Sequence, residues 1–455
     1  MIQNNIITIL SCVLSFTMLA QDYTNYKGSN YKFKKINLYD ATPVESQGRT
    51  GTCWSFSALS FLESEMIRMG KKNVQPLSEM FIVRKAYEMK AEKYIRMDGK
   101  TNFGEGGAFH DIPIVIKKYG IVPREFYTGK AEDGTYNHGE LYKVLNDYLE
   151  NIMLNQVGKP QGIDLNWKKG VNGILDKYLG EVPQYVQIEG EKKVPLIDFA
   201  FAQGLNVDNY VSLTSFSNHE FYEECMLEIP DNWAWGKSYN IPLEDLIKTA
   251  EYALSNGYTM AWGADVSEQG FNFRKGLAIV PANGDKIEVI GKDKKNFNDA
   301  GADKNSDIIL NTTNELQISQ EFRQTAYDNK TTTDDHEIHF LEEIEGKDKK
   351  NFNDSGADKN SDVFLNPTKE LQISQEFRQT AYDNKTTTDD HGMHITGLFE
   401  DQNGTKYFYV KNSWGNKNYP EGYLYVSENY FRYKTINIFL HKDAISNDLK
   451  KKLNL

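Results

Sequence analysis

Cysteine is scarce in this chain: Cys12, Cys53 and Cys225 are the only three among 455 residues. Cys12 falls inside an N-terminal apolar run, so two remain for a mature chain. Bridges are then not what holds the fold together, and stability has to come from a packed core. A basic excess is lacking too. Lys and Arg number 52 against 64 Asp and Glu, a net charge of −12, which argues against a nucleic-acid partner. After Leu19 no apolar run is long enough to span a bilayer. The one apolar run, residues 6–19, has the length of a signal-peptide core, and Ala20 precedes Gln21-Asp22 at a plausible cleavage point. Residues 1–20 therefore read as a secretory signal with no Lys or Arg ahead of it, and the expected location is exported, periplasmic or extracellular.

What is present is concentrated in one segment, Gln47-Gly48-Arg49-Thr50-Gly51-Thr52-Cys53-Trp54. A glutamine stands six residues before a cysteine, with small, flexible residues between. Behind the cysteine runs an apolar, helix-competent stretch to Met69, stopped by Gly70. A cysteine that opens a helix meets the positive end of the macrodipole, which favours its thiolate. Gln47 can direct an amide N–H to the point where an oxyanion would develop. Far downstream stand Asp390-His391-Gly392-Met393 and Lys411-Asn412-Ser413-Trp414-Gly415. Nucleophilic acyl transfer needs a thiolate, a base and a group that orients the base. Cys53, His391 and Asn412 supply the three, with Trp414 shielding the His–Asn bond and Gln47 and the Cys53 N–H forming the oxyanion hole.

These motifs, in the order Gln-Cys, His, Asn, resemble those of the papain-like cysteine peptidases. Gly120-Ile121-Val122-Pro123, Trp262-Gly263-Ala264-Asp265-Val266 and Lys442-Asp443-Ala444-Ile445 resemble segments of the bleomycin hydrolase/aminopeptidase C branch. The resemblance implies an α+β fold of two lobes, one helical and one β-rich, with the active-site cleft between them. It implies peptide or protein substrates, no cofactor and no metal. It assigns Gly106 and Gly107 to the backbone of an extended substrate. It implies removal of N-terminal residues by a gate at the C-terminal arm, here ending at Leu455, and a homo-oligomer, hexameric in that branch. Two alternatives stand beside the aminopeptidase: an exported endopeptidase, and a papain-like binding protein with impaired chemistry.

Composition and pattern divide the chain into a helical lobe, residues 21–254, and a β-rich lobe, residues 255–455. Ser78 reads as the cap of a second helix, and residues 112–119 as a third, closed by Gly120. Strands are expected at 259–266, 395–399, 407–411 and 422–426. An internal repeat interrupts the second lobe. Residues 291–339 match residues 346–394 at a constant offset of 55, with seven mismatches in 49 positions. This is a segmental duplication, too short and too uniform for a solenoid.

The repeat carries a histidine twice, His336 and His391. His391 runs on to Asn412 and is followed by a small residue, Gly392, where His336 has Glu337. The chemistry is therefore assigned to copy two. Asp303-Lys304-Asn305-Ser306-Asp307 and Asp358-Lys359-Asn360-Ser361-Asp362 open like calcium loops. Ile308 or Val363 then replaces the required glycine, and Asn314 or Lys369 the closing glutamate, so no metal site is expected. His219 reads as structural, Cys225 as a semi-buried thiol, and Asp390 either as a tuner of the ion pair or as a solvated charge. His394 lies three residues past His391, and a catalytic role is not expected of it.

Overall fold

The structure is a computed structural model that describes residues 23–282 and 362–455, except 132, 157, 159–161 and 189–191. The signal-like segment, the first repeat copy with His336 and the first calcium-like loop lie outside the described residues. So does the second calcium-like loop up to Ser361.

Six helices build the first lobe: α1 (Cys53–Arg68), α2 (Glu79–Arg96), α3 (Asp111–Tyr119), α4 (Gly139–Gln156), α5 (Trp167–Leu179) and α6 (Leu196–Ala202). Their local signals are those of the sequence. The Ser78 hydroxyl accepts the Phe81 N–H at 3.0 Å and caps α2. Gly120, at φ 83°, ends α3 in a conformation that a side chain would resist. Helix α1 is buried almost throughout because it is sandwiched. Phe61, Leu62 and Met66 join Phe81, Leu141 and Leu175 in the helical core, while its other flank lies on the sheet.

The second lobe is one mixed sheet of eleven strands. Its members are β1 (Phe33–Leu38), β4 (Tyr210–Thr214), β5 (Glu224–Met226), β6 (Lys237–Asn240), β7 (Met260–Ala264), β8 (Phe271–Asn272), β9 (Leu277–Ala278), β10 (His391–Asp401), β11 (Lys406–Lys411), β12 (Tyr423–Ser427) and β13 (Thr435–His441). The order is β5-β6-β4-β13-β7-β10-β11-β12-β9-β8, with β1 also paired to β10. A hairpin of β2 (Tyr185–Ile188) and β3 (Lys192–Pro195) stands apart. Helices α7 (Leu243–Ser255), α8 (Gln375–Asp383), α9 (Glu428–Lys434) and α10 (Asn447–Leu453) complete the chain. Trp262, Met393, Phe408, Phe431 and Ile438 form the β-lobe core.

The lobe boundary falls earlier than composition suggests. Leu243, Leu246, Ile247, Ala250 and Leu254 of α7 pack into the β-lobe core, and β4 to β6 extend its sheet. The amphipathic period of α7 identifies a helix but not which sheet its apolar stripe will cover. Strand β1 crosses back from the N-terminal side. Its Phe33 stacks on Tyr425 at 3.8 Å between centroids, an aromatic pairing that the polar run ahead of it conceals.

Candidate active site

Two sets of backbone pairings bring three distant segments together. The residues before the cysteine pair with those after the asparagine. Gln47 N donates to Ser413 O at 2.8 Å and Gly415 N to Glu45 O at 3.1 Å. Strand β10 begins at His391 and pairs with β7 in register His391↔Ala264 and with β11 from His394↔Lys411 onward. Asn412 follows the last residue of β11. Gly392 lies on the first turn of α1: a Cβ built there would stand 2.8 Å from Ser57 Oγ, 3.2 Å from Trp54 Cα and 3.3 Å from the Cys53 carbonyl carbon. Cys53, His391, Asn412 and Gln47 thus gather at one end of the interface between helix α1 and the sheet.

Cys53 is the first residue of α1, half-buried, and not in a disulfide. Opposite it, His391 is buried, and its Nε2 shares a 2.7 Å hydrogen bond with Asn412 Oδ1. That oxygen is an acceptor only, because it also takes the Ser413 N–H at 2.7 Å. Nε2 therefore carries the proton, and Nδ1 is left as the nitrogen that can receive one from a thiol. The Trp414 ring lies 4.5 Å from the His391 ring, centroid to centroid, and is itself edged by Phe273 at 5.2 Å. This covers the His–Asn bond from water. Burial pushes the imidazole down to about 4, against the pull of Asn412 in the other direction. An imidazolium is stable here only with an anion beside it, and a Cys53 thiolate is the anion the site offers.

Gln47 is buried and held at both ends of its amide. Oε1 accepts the Ser413 hydroxyl at 2.6 Å, and Nε2 donates to Thr50 O at 2.7 Å. An amide nitrogen has two protons, so one remains for an oxyanion. Asp390 is part-buried beside His391. Its carboxylate accepts Val266 N at 2.9 Å and Ser267 N at 3.2 Å, and so fastens the start of β10 to the loop after β7.

The glycine pair has internal reasons to be glycine. A Cβ on Gly106 would meet the Asp231 carboxylate at 1.9 Å, and one on Gly107 would meet the Trp54 ring at 2.8 Å. The absent side chains at 106 and 107 are thus needed for packing. His394 lies off the site. It is fully buried on the α1 flank, its Nδ1 2.9 Å from Ser60 Oγ. His219 pairs with Glu228 at 3.3 Å on the surface, and burial pushes the Cys225 thiol up to about 11. No group of three His, Cys, Asp or Glu among the described residues is arranged to hold a metal.

Sequence reasoning missed the ionic layer beneath Asn412. Lys411 Nζ donates to Ser60 Oγ at 2.8 Å and Thr42 Oγ1 at 3.2 Å, and Glu63 takes the Thr42 hydroxyl and the Leu77 N–H. Burial lifts Glu63 to about 7 and lowers Lys411 to about 8. A lysine next to the motif asparagine was the available signal.

Comparison with known proteins agrees with this geometry. The model of the papain family cysteine proteases matches residues 17–139, which hold the glutamine and the cysteine. The model of the peptidase C1-like family matches residues 348–455, which hold the histidine and the asparagine. The chain belongs to the papain-like cysteine peptidases. The peptidase is 22% identical to aminopeptidase G of Lactobacillus delbrueckii subsp. lactis over 447 residues, which covers 90% of this chain and 83% of that one. It is 23% identical over 272 residues to aminopeptidase C of Lactococcus lactis subsp. lactis, covering 50% of this chain and 59% of the relative. The crystal structure of pepw from Lactobacillus rhamnosis superposes with a TM-score of 0.60 at 16% identity, over 92% of this chain and 84% of that one. That likeness is one of fold, the two-lobed α+β arrangement.

The C-terminal arm of the peptidase does not reach this site. It leaves β13 at His441, whereas the strand's other end, Thr435, is the one that pairs with Ala264 beside His391. Leu449 and Leu453 then pack into the β-lobe core, and Lys452 donates to Tyr222 Oη at 3.2 Å and pairs with Asp245 at 3.6 Å.

Proposed function

We propose that the peptidase is an aminopeptidase that cleaves through a thioester on Cys53. The observation that carries the chemistry is the His391–Asn412 bond at the head of α1, which leaves Nδ1 as the proton acceptor. The Cys53 thiolate attacks the scissile carbonyl carbon, and the oxyanion accepts hydrogen bonds from the Gln47 Nε2–H and the Cys53 N–H. The His391 imidazolium gives its Nδ1 proton to the leaving amine. Water then attacks the thioester while His391 takes a proton back, and Cys53 departs as thiolate. The preference for free N-termini rests on the relatives named aminopeptidase G, E and C. The position of α10 supplies no gate from Leu455, which keeps an endopeptidase as the second reading.

Turnover of a fluorogenic peptide amide with a free or an acetylated N-terminus tests both points. Cys53→Ala should abolish hydrolysis of either, and retained activity would overturn the mechanism. The wild type should prefer the free amine at least tenfold, and equal rates would establish the endopeptidase. Export follows from residues 1–20, with a mature N-terminus at or near Gln21 by mass spectrometry; an intact Met1 would refute it.

A further inference from the structure

Between Gln47 and Cys53 the chain makes one tight turn, and its Thr50–Gly51 peptide unit has both of its polar ends in use. The carbonyl of Thr50 accepts Gln47 Nε2 at 2.7 Å. The N–H of the same peptide, on Gly51, donates to Glu105 Oε2 at 2.6 Å. The unit is planar, so its C=O and N–H cannot be reoriented independently. Gly51 has no side chain, and rotation of the peptide before a glycine is among the least costly backbone rearrangements. Such a rotation would turn the Thr50 carbonyl away from Gln47. The carboxylate of Glu105 opposes it with a charge-assisted bond, about twice as strong as a neutral one.

Glu105 is itself held in place. Its backbone oxygen accepts Trp54 Nε1 at 3.1 Å, so the residue grips the chain on both sides of Cys53. Lys90, buried beneath, donates to Gly104 O at 2.8 Å and to Gly106 O, the carbonyls that flank Glu105. A Cβ on Gly51 would lie 3.1 Å from Glu105 Cβ, so the contact has no slack. From the other side, Arg49 N donates to Tyr136 O at 2.7 Å and His138 N to Arg49 O at 3.0 Å, which fixes the start of the turn but not the Thr50–Gly51 peptide.

We propose that Glu105 is a positioning residue that locks the Thr50–Gly51 peptide and thereby aims the Gln47 amide at the oxyanion. The proposal rests on the reading of Cys53 as nucleophile. It separates Glu105 from the thiolate and its histidine. Losing Glu105 should weaken transition-state stabilisation and leave the thiolate intact.

Turnover and Cys53 alkylation by iodoacetamide distinguish the roles, because alkylation needs the thiolate but no oxyanion hole. Glu105→Ala should lower kcat about 10- to 100-fold, with KM within about twofold and the alkylation rate unchanged. Glu105→Gln keeps an acceptor and should recover most of kcat. Removing one oxyanion donor costs about 10²–10³ in kcat, so Gln47→Ala sets the ceiling. In the Gln47→Ala background, Glu105→Ala should cost less than about twofold, because its effect is transmitted through that amide. Fold-changes that multiply in the double variant would overturn the proposal, as would an alkylation rate that falls in step with kcat. If Glu105→Ala does not fold, the cycle is run with Glu105→Asp, whose shorter side chain withdraws the carboxylate from the Gly51 N–H, and losses that multiply with those of Gln47→Ala overturn the proposal in the same way. Hydrolysis by Cys53→Ala would instead remove the reading beneath it.

Discussion

At the scale of single residues, the site is a chain of hydrogen-bond assignments that ends in one proton position. Asn412 Oδ1 is committed as an acceptor, which places the proton on His391 Nε2 and frees Nδ1. His391→Ala removes both the counter-charge and the acid, and general acid–base loss typically costs about 10²–10⁴ in kcat. Asn412→Ala leaves a buried N–H without an acceptor, worth about 1–3 kcal/mol, so a milder loss of about 5- to 150-fold is expected. Single-turnover kinetics on both variants checks the order, and an Asn412 effect larger than that of His391 would contradict the assignment. The three residues that the structure brings together, Cys53, His391 and Asn412, could be named from the sequence because the chemistry expected of each needs a particular side chain. The roles of Glu63, Lys411 and Glu105 could not, since each is defined by a backbone or side-chain partner between 14 and 369 positions away.

At the scale of elements, the decisive contact is the laying of β10 on the first turn of α1. Only a very small residue fits after His391, because Trp54 Cα and the Cys53 carbonyl carbon are backbone and cannot turn aside. Copy one of the repeat carries Glu337 at the corresponding position. Gly392→Glu would force a carboxylate into this buried contact and separate the strand from the helix. It should inactivate the peptidase and lower its thermal midpoint. Gly392→Ala meets mainly the Ser57 hydroxyl, which can rotate, and should retain substantial activity. An active Gly392→Glu variant would mean that the spacing between α1 and β10 does not set the site. Helix stops and caps were legible, since Gly120 and Ser78 act locally, and so were four of the strands, β7, β10, β11 and β12. Strand β10 is longer than its apolar run suggests and starts at His391 itself, because pairing to β7 recruits His391-Gly392-Met393-His394 into the ladder. Partner choice between elements, which put α7 on the sheet, has no local signature.

At the scale of the whole molecule, buried titratable groups of opposite sense set the pH response, and the chain's length sets its tolerance of insertion. Burial holds His110 and His138 down to about 4 and His394 well below its usual value. Folded values below the unfolded 6.5 give stability that is present above pH 6.5 and lost as pH falls toward 4. Burial lifts Glu63, Asp111 and Glu370 to about 7. Folded values above the unfolded ones give stability that is present below about 4.5 and lost as pH rises toward 7. The two sets act in opposite senses, so thermal midpoints should change less between about pH 4.5 and 6.5 than either set alone would make them; a steep monotonic trend across that window would show that one set dominates. The insertion is bounded by anchored ends. Ala282 N donates to Lys369 O at 2.7 Å, and Asp362 pairs with Lys275, so both ends of residues 283–361 are tied to the same lobe. Copy-two residues Val363 and Phe364 are buried beside Tyr31 and Phe33, and Ser374 caps α8, so the lobe already uses this copy from residue 362 onward. Deleting residues 291–345, one full period, shortens the connection from 79 residues to 24. The deletion variant should therefore fold with an equal or slightly higher thermal midpoint and keep the kcat of the full chain. His336→Ala in the full chain should be silent. Loss of fold or of turnover in the deletion variant would show that the first copy carries part of the lobe.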